Sequence, residues 1–241
     1  MINEVAVADK LKAGSPLIME LVGPAGAGKT TLSKALRQRD DNILLGPDIE
    51  LRKVSHLPVF IRSIPSSLPL FFDQSKSDRQ PTWTELKDIA YLEGWTKVLK
   101  RIPSSNSRTV LLDQGPVFRM ATLYEFGPES FRSEKAKAWW QHLYEQWAAA
   151  LDVIIFLDTS DEILMERINV RTKKHGIKGK SELEARNYLM QYRMSFRDVL
   201  TNLSMRNGPT ILEFDTSKTP IEKIVDEVLV ACESKRTENS F

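Results

Sequence analysis

The segment Gly23-Pro24-Ala25-Gly26-Ala27-Gly28-Lys29-Thr30 fits the pattern G-x-x-x-x-G-K-[ST], and the apolar run Leu17-Ile18-Met19, continued by Leu21-Val22, leads directly into it. The glycines let successive backbone N–H groups converge on phosphate oxygens. Lys29 reaches the β and γ phosphates, and Thr30 offers its hydroxyl to a magnesium ion. Lys29, Leu32 and Leu36 follow with helical spacing, so a helix N-terminus brings its partial positive charge to the same place, with Thr31 in its first turn. The whole set Gly23, Pro24, Ala25, Gly26, Ala27, Gly28, Lys29, Thr30 and Thr31 is therefore the expected nucleotide-phosphate cradle, with ATP and Mg2+ as its occupants.

Outward from this loop, short apolar runs alternate with helical patterns. A first strand spans about Pro16 to Val22 and a second Asn42-Ile43-Leu44-Leu45-Gly46, ending at Pro47-Asp48. Residues 55–81 hold Pro58, Pro65, Pro69 and Pro81 among Val59, Phe60, Ile61, Phe71 and Phe72, too apolar for a disordered linker and too broken for one long helix. Thr82 and Glu85 form a capping box for a helix to about Arg101, and Pro103 to Ser107 reads as a turn. Thr109-Val110-Leu111-Leu112-Asp113 is strand three, continuously apolar as in a sheet covered on both faces.

The next helix carries Trp139, Trp140, Leu143 and Trp147, a stripe that reads as core. Strand four is Val153 to Asp158, followed by a helix through Arg167, a basic loop and a long helix from about Ser181 to Met205. Strand five is Thr210 to Phe214. The last helix is expected from Thr219, with Pro220 in its first turn and Glu222 closing a capping box. Five strands alternating with helices predict an α/β fold, a parallel three-layer sandwich with right-handed crossovers in one domain over residues 1–241.

The chain of 241 residues carries a formal net charge of +2, so no global field argues for nucleic acid or a membrane surface. Cys232, the single cysteine, stands in an apolar helical stretch and is expected to pack rather than react. No apolar run approaches the ~20 residues of a membrane span, and Met1 to Lys12, with Glu4 and Asp9, lacks the pattern of a secretory signal. The expected location is cytoplasmic.

Open α/β sheets bind ligands at the carboxyl ends of their strands, which here place three acids beside the phosphate loop. Asp113 is the natural acid to hold magnesium together with Thr30. Asp48 either accepts a proton from an incoming hydroxyl or caps a short helix near Ile49. Asp158, followed by Thr159 and Ser160, reads as a structural hydrogen-bonding group. After strand four come Arg167, Arg171, Lys173, Lys174, Lys178 and Lys180 around His175-Gly176 and Gly179. Their position favours a phosphate-covering lid over about 171–181, with Arg167 and Arg171 acting on the transferring phosphoryl group.

With these motifs in place, the chain resembles the nucleoside and nucleotide kinases of the P-loop kinase superfamily, including the thymidylate kinase and deoxynucleoside kinase group, over most of residues 16–232. Leu112-Asp113-Gln114-Gly115 is similar to that group's third-strand acid motif, Glu166 to Arg171 to its arginine-bearing lid helix, and Asp215 to Pro220 to the loop passing over adenine. The resemblance implies a P-loop sheet of order 2-3-1-4-5, and puts Asp48 where deoxynucleoside kinases place the acid that activates the acceptor hydroxyl. Gln114 stands where the group has arginine, so either Arg119 takes that role or the acceptor differs. Residues 55–81 form an acceptor-side insert without a counterpart.

The resulting expectation is a magnesium-dependent phosphotransferase moving the γ-phosphoryl group of ATP to a small-molecule acceptor, foremost a nucleoside or nucleoside monophosphate. Phe71, Phe72, Trp83, Phe118 and Arg119 are candidates for the acceptor pocket, with core packing as their alternative. A kinase for another hydroxylated metabolite and a nucleotide-gated regulatory ATPase are the rival readings. The sequence contains neither an Asn-Lys-x-Asp nor a Leu-Ser-Gly-Gly-Gln stretch to support the latter. No nucleic-acid or membrane partner is expected, and a homodimer is left open.

Overall fold

The computed structural model describes residues 15–47, 79–102, 108–172 and 176–238. Five strands, β1 (Leu17–Val22), β2 (Ile43–Leu45), β3 (Thr109–Asp113), β4 (Val153–Asp158) and β5 (Thr210–Asp215), form one sheet in the order β2-β3-β1-β4-β5. All neighbouring pairs are parallel, and the register sets Leu21 against Asp113 and Asp158 against Asp215. The expected order and strand direction are those observed. Central position and two covered faces explain why β1 is buried along its whole length.

Side-chain alternation sends Leu17, Met19 and Leu21 to one face of the sheet and Ile18 and Val22 to the other. The first face is covered by α1 (Lys29–Arg39) and α7 (Ile221–Glu238), through Leu32, Leu36, Ile224, Val225 and Val228. The second carries α2 (Trp83–Leu99), α3 (Pro116–Phe126), α4 (Lys137–Ala150) and the C-terminal half of α6 (Glu182–Ser204). Between β4 and α6 lies α5 (Asp161–Val170). The tryptophan stripe is core: Trp147 donates its indole N–H to Leu92 O at 2.9 Å and Trp140 to Phe131 O at 2.7 Å. Cys232 is buried among the α7 core residues, and burial pushes its thiol up to about 11, as befits a packing role.

Two helices differ from expectation. No helix is expected at 116–126, yet one forms there with Pro116 in the first helical position of α3. Pro is suited to that position because its missing N–H has no partner there anyway. α7 starts at Ile221 rather than Thr219, because the Thr219 N–H turns back to Asp215 O at 2.9 Å. The Thr82–Glu85 capping box is present at α2. Among the described residues, no helix is long and apolar enough to cross a membrane.

Candidate nucleotide site

The loop after β1 turns back on itself through backbone conformations that glycine supplies. Gly23 has φ +136° and lies so close to β4 that a Cβ would stand 2.0 Å from Leu157 O. Gly26, with φ +90°, packs less tightly against α5, where a Cβ would stand 3.0 Å from Leu164 O. The loop therefore nests between the end of β4 and the middle of α5. α1 follows with Gly28 as its N-cap and no side-chain cap, leaving first-turn N–H groups to a ligand. Thr30 and Thr31 are exposed at this end.

Lys29 folds over the loop, donating from Nζ to Gly23 O at 2.6 Å and Pro24 O at 2.9 Å. Burial drives its pKa from the ordinary 10.5 down to about 8. Asp113 opposes this shift, while the positive charge of Arg171 adds to it. Both groups therefore act electrostatically on one ammonium, although they come from separate segments of the chain. Asp113 is itself exposed at the end of β3. Arg171 ends α5, where its own carbonyl accepts from Lys178 Nζ.

These positions give a pH dependence with a definite sign. The folded pKa of Lys29 lies below its ordinary value, so on raising the pH the folded protein loses this proton first, between about 8 and 10.5. The cost of burying the charge is thus fully present below pH 8 and is relieved above it. A polyphosphate favours the charged form, so ATP binding at pH 8.5 should take up a fraction of a proton. Calorimetry in buffers of different ionisation enthalpy reads this uptake, which should vanish in Lys29→Met.

Arg167 donates from one nitrogen to Gly26 O and to Thr216 Oγ1, both at 3.1 Å, and Thr216 N donates to Asp158 O at 2.9 Å. Arg167 thus staples the phosphate loop to the turn after β5. A cleft of about 550 Å3 opens beside this staple, lined by Gly26, Gly28, Thr31, Arg171, Thr219 and Ile221 among others. Its size suits a nucleoside-sized ligand, and it has phosphate-loop backbone on one side and the turn after β5 on the other. Among the described residues, no group of three or more His, Cys, Asp or Glu side chains is arranged to hold a metal. The exposed Thr30 hydroxyl and Asp113 carboxylate are hard oxygen donors of the kind Mg2+ takes in small number, alongside water and substrate phosphates.

Asp158 is a structural group, as its sequence context indicates. Arg193 of α6 donates from Nε to Asp158 Oδ2 at 2.7 Å, from Nη1 to Asp161 Oδ1 at 2.5 Å and from Nη2 to Thr159 O at 2.7 Å. This clamp fixes the β4–α5 turn on which the phosphate loop rests, and no local sequence signal marks Arg193 for it.

On the expected acceptor side, Asp48, Phe71 and Phe72 lie outside the described residues, as do residues 55–78 of the 55–81 insert and Lys173, Lys174 and His175 of the lid. Trp83 is 61% exposed at the start of α2. Arg119 is committed: it pairs with the Asp88 carboxylate and lies over the Tyr91 ring, 4.2 Å from its centroid. Phe118 stacks on Tyr192 with ring centroids 6.4 Å apart. Tyr192 continues through Phe126 at 4.8 Å to Tyr188. Apart from Phe118, this aromatic set between α3 and α6 is absent from the expected list, although Tyr188, Tyr192 and Phe196 recur at intervals of four in the sequence.

A second unexpected residue is Glu20, a carboxylate with 0% exposure in the middle of β1. Its Oε2 accepts from Val117 N at 3.0 Å and Oε1 from Phe118 N at 3.1 Å. Burial raises its pKa from the usual 4.5 to about 8, against the pull of these two N–H groups and of Arg119.

Residues 18–198 match the model of a family described as an AAA domain. None of the curated proteins compared with the chain matches it. Among solved structures, thymidylate kinase from Candida albicans superposes with a TM-score of 0.52 at 15% identity, covering 94% of this chain and 94% of its own. The YorR protein of Bacillus subtilis, solved in complex with phosphorylated GDP, gives 0.50 at 14% identity, covering 90% and 95%. Deoxyadenosine kinase from M. mycoides, solved with dCMP and dCDP, gives 0.50 at 12% identity, covering 90% and 99%. Such identities speak for shared architecture alone. The chain therefore belongs to the AAA-domain family, and its fold is that of the P-loop nucleoside and nucleotide kinases.

Proposed function

We propose that the protein is a kinase that transfers the γ-phosphoryl group of ATP to a hydroxyl or phosphate oxygen of a small molecule, foremost a nucleoside or nucleoside monophosphate. The observation that carries this reading is the glycine-built loop with Lys29 folded over it, beside a nucleoside-sized cleft that Arg171 helps to line. Phosphoryl transfer asks mainly for positioning and charge neutralisation, and these groups supply both.

In this reading the loop N–H groups and Lys29 hold the β and γ phosphates, and Thr30 with Asp113 holds Mg2+. When bound, the metal neutralises charge on the bridging phosphate oxygens. Arg171, at the end of α5, faces the phosphates directly. Arg167 secures the loop and the cleft wall, and exchanges part of this staple for phosphate when the nucleotide enters. Asp48 accepts or orients the acceptor proton. That a deoxyadenosine kinase and a thymidylate kinase share the fold supports trying a nucleoside or nucleotide first among the acceptors.

The test is acceptor-dependent ADP release with ATP and Mg2+ across nucleosides, nucleoside monophosphates, sugars and small alcohols, with Lys29→Ala as blank. Stimulation by one class identifies the acceptor. ATP binding without stimulation by any of them overturns the kinase reading in favour of a nucleotide-gated ATPase.

A further inference from the structure

Glu20 has no part in the scheme above, yet its burial needs a reason. Leucine would suit the middle of a covered strand, whereas a fully buried carboxyl group costs free energy there unless its oxygens find hydrogen-bond partners. Its oxygens meet the N–H groups of Val117 and Phe118, the second and third residues of α3. These are orphan donors in any helix. Gly115, the N-cap, provides no side-chain acceptor, so the cap comes from a neighbouring strand instead.

The fit extends to the turn between β3 and α3. A Cβ on Gly115 would stand 2.8 Å from Glu20 Cδ, so the carboxylate fits only because that residue is glycine. Gln114, between Asp113 and Gly115, has φ +54°, a left-handed conformation uncommon for a residue with a side chain. Such strain persists where both flanks are fixed. Here Asp113 is fixed by its register opposite Leu21, and the start of α3 by the hydrogen bonds of Val117 and Phe118 to Glu20. The strand that carries Glu20 runs three residues further into Gly23.

We propose that Glu20 is a positioning residue of the phosphoryl-transfer site: by capping α3 from β1 it locks the turn that carries Asp113 and Gln114 in place against the phosphate loop. This rests on the assignment of Asp113 to the magnesium site. Residues that orient a metal's ligands typically change metal affinity or activity by about 10- to 100-fold when removed.

Two variants test the assignment. Glu20→Gln keeps the size but replaces one acceptor oxygen with an amide nitrogen. Gly115→Ala leaves Glu20 intact and displaces the turn with a methyl group. Three quantities are measured in each: thermal midpoint, amide exchange at Val117 and Phe118 in the nucleotide-free protein, and the Mg2+ dependence of ATP binding by calorimetry. Both variants should exchange faster at those amides and need about 10-fold more Mg2+ to reach half-maximal ATP affinity, with Mg2+-free nucleotide affinity within about threefold of the parent protein. A lowered thermal midpoint with an unchanged Mg2+ titration, in whichever variant folds, overturns the proposal and leaves Glu20 as a helix cap. The readout is binding, so a protein that binds Mg2+ and ATP but transfers to no acceptor sinks the kinase reading while still deciding this one.

Discussion

Lys29→Ala should lose phosphoryl transfer by about 10³-fold or more, the scale seen when a preorganised charge facing a transferring group is removed. That is about 4 kcal/mol of transition-state stabilisation. Stability should move little, or rise. The drop in the Lys29 pKa to about 8 means that the charged ammonium is disfavoured by burial, on the order of 3 kcal/mol relative to its ordinary value. Against this stand two hydrogen bonds to Gly23 O and Pro24 O, each worth about 1 kcal/mol net. The loop thus holds a charge at some cost to the fold, and a polyphosphate would offset that cost. Chemical denaturation together with the ADP-release assay checks both halves. Turnover within tenfold of the parent protein would remove the mechanism, whereas loss of turnover accompanied by unfolding would show that Lys29 supports the loop rather than the reaction.

How far this site could be read from the sequence depended on whether the forces involved are local. The phosphate loop is a contiguous motif set between an apolar strand and a helix, and β1 and α1 lie where that pattern puts them. The strands are equally legible, because a sheet covered on both faces demands unbroken apolar runs such as Val153 to Leu157. α3 escaped because its capping group is Glu20, 97 residues away from Val117. Local rules see only Gly115-Pro116 there. The only trace was a single acid inside an apolar strand. Arg193 was hidden for the same reason, since it reaches Asp158 across 35 residues. Arg119 illustrates the opposite case: a basic residue near a site invites a catalytic role, but the fold satisfies it with Asp88 and the Tyr91 ring. Spacing cannot reveal which charges a fold neutralises, because the partner is chosen by packing.

Asp113→Asn should raise the Mg2+ concentration needed for half-maximal turnover by about 10-fold or more, with partial recovery of rate at saturating metal. The substitution keeps the side chain's size at the exposed end of β3 and removes a charge, so folding is not the variable. A second effect follows from electrostatics alone. Asp113 holds the Lys29 pKa up against burial and Arg171, so its neutralisation lowers that pKa below about 8. The alkaline limb of ATP binding should therefore move to lower pH in Asp113→Asn, even without metal. A magnesium ligand that is not close to Lys29 would give the first effect without the second. A strand-end cap beside Lys29 would give the second effect without the first, so an unchanged Mg2+ titration would reassign Asp113 to that role. Comparison with Glu20→Gln separates charge from position: if Glu20 acts only by aiming Asp113, that variant shares the Mg2+ shift but leaves the Asp113 charge beside Lys29, so its alkaline limb stays close to that of the parent protein.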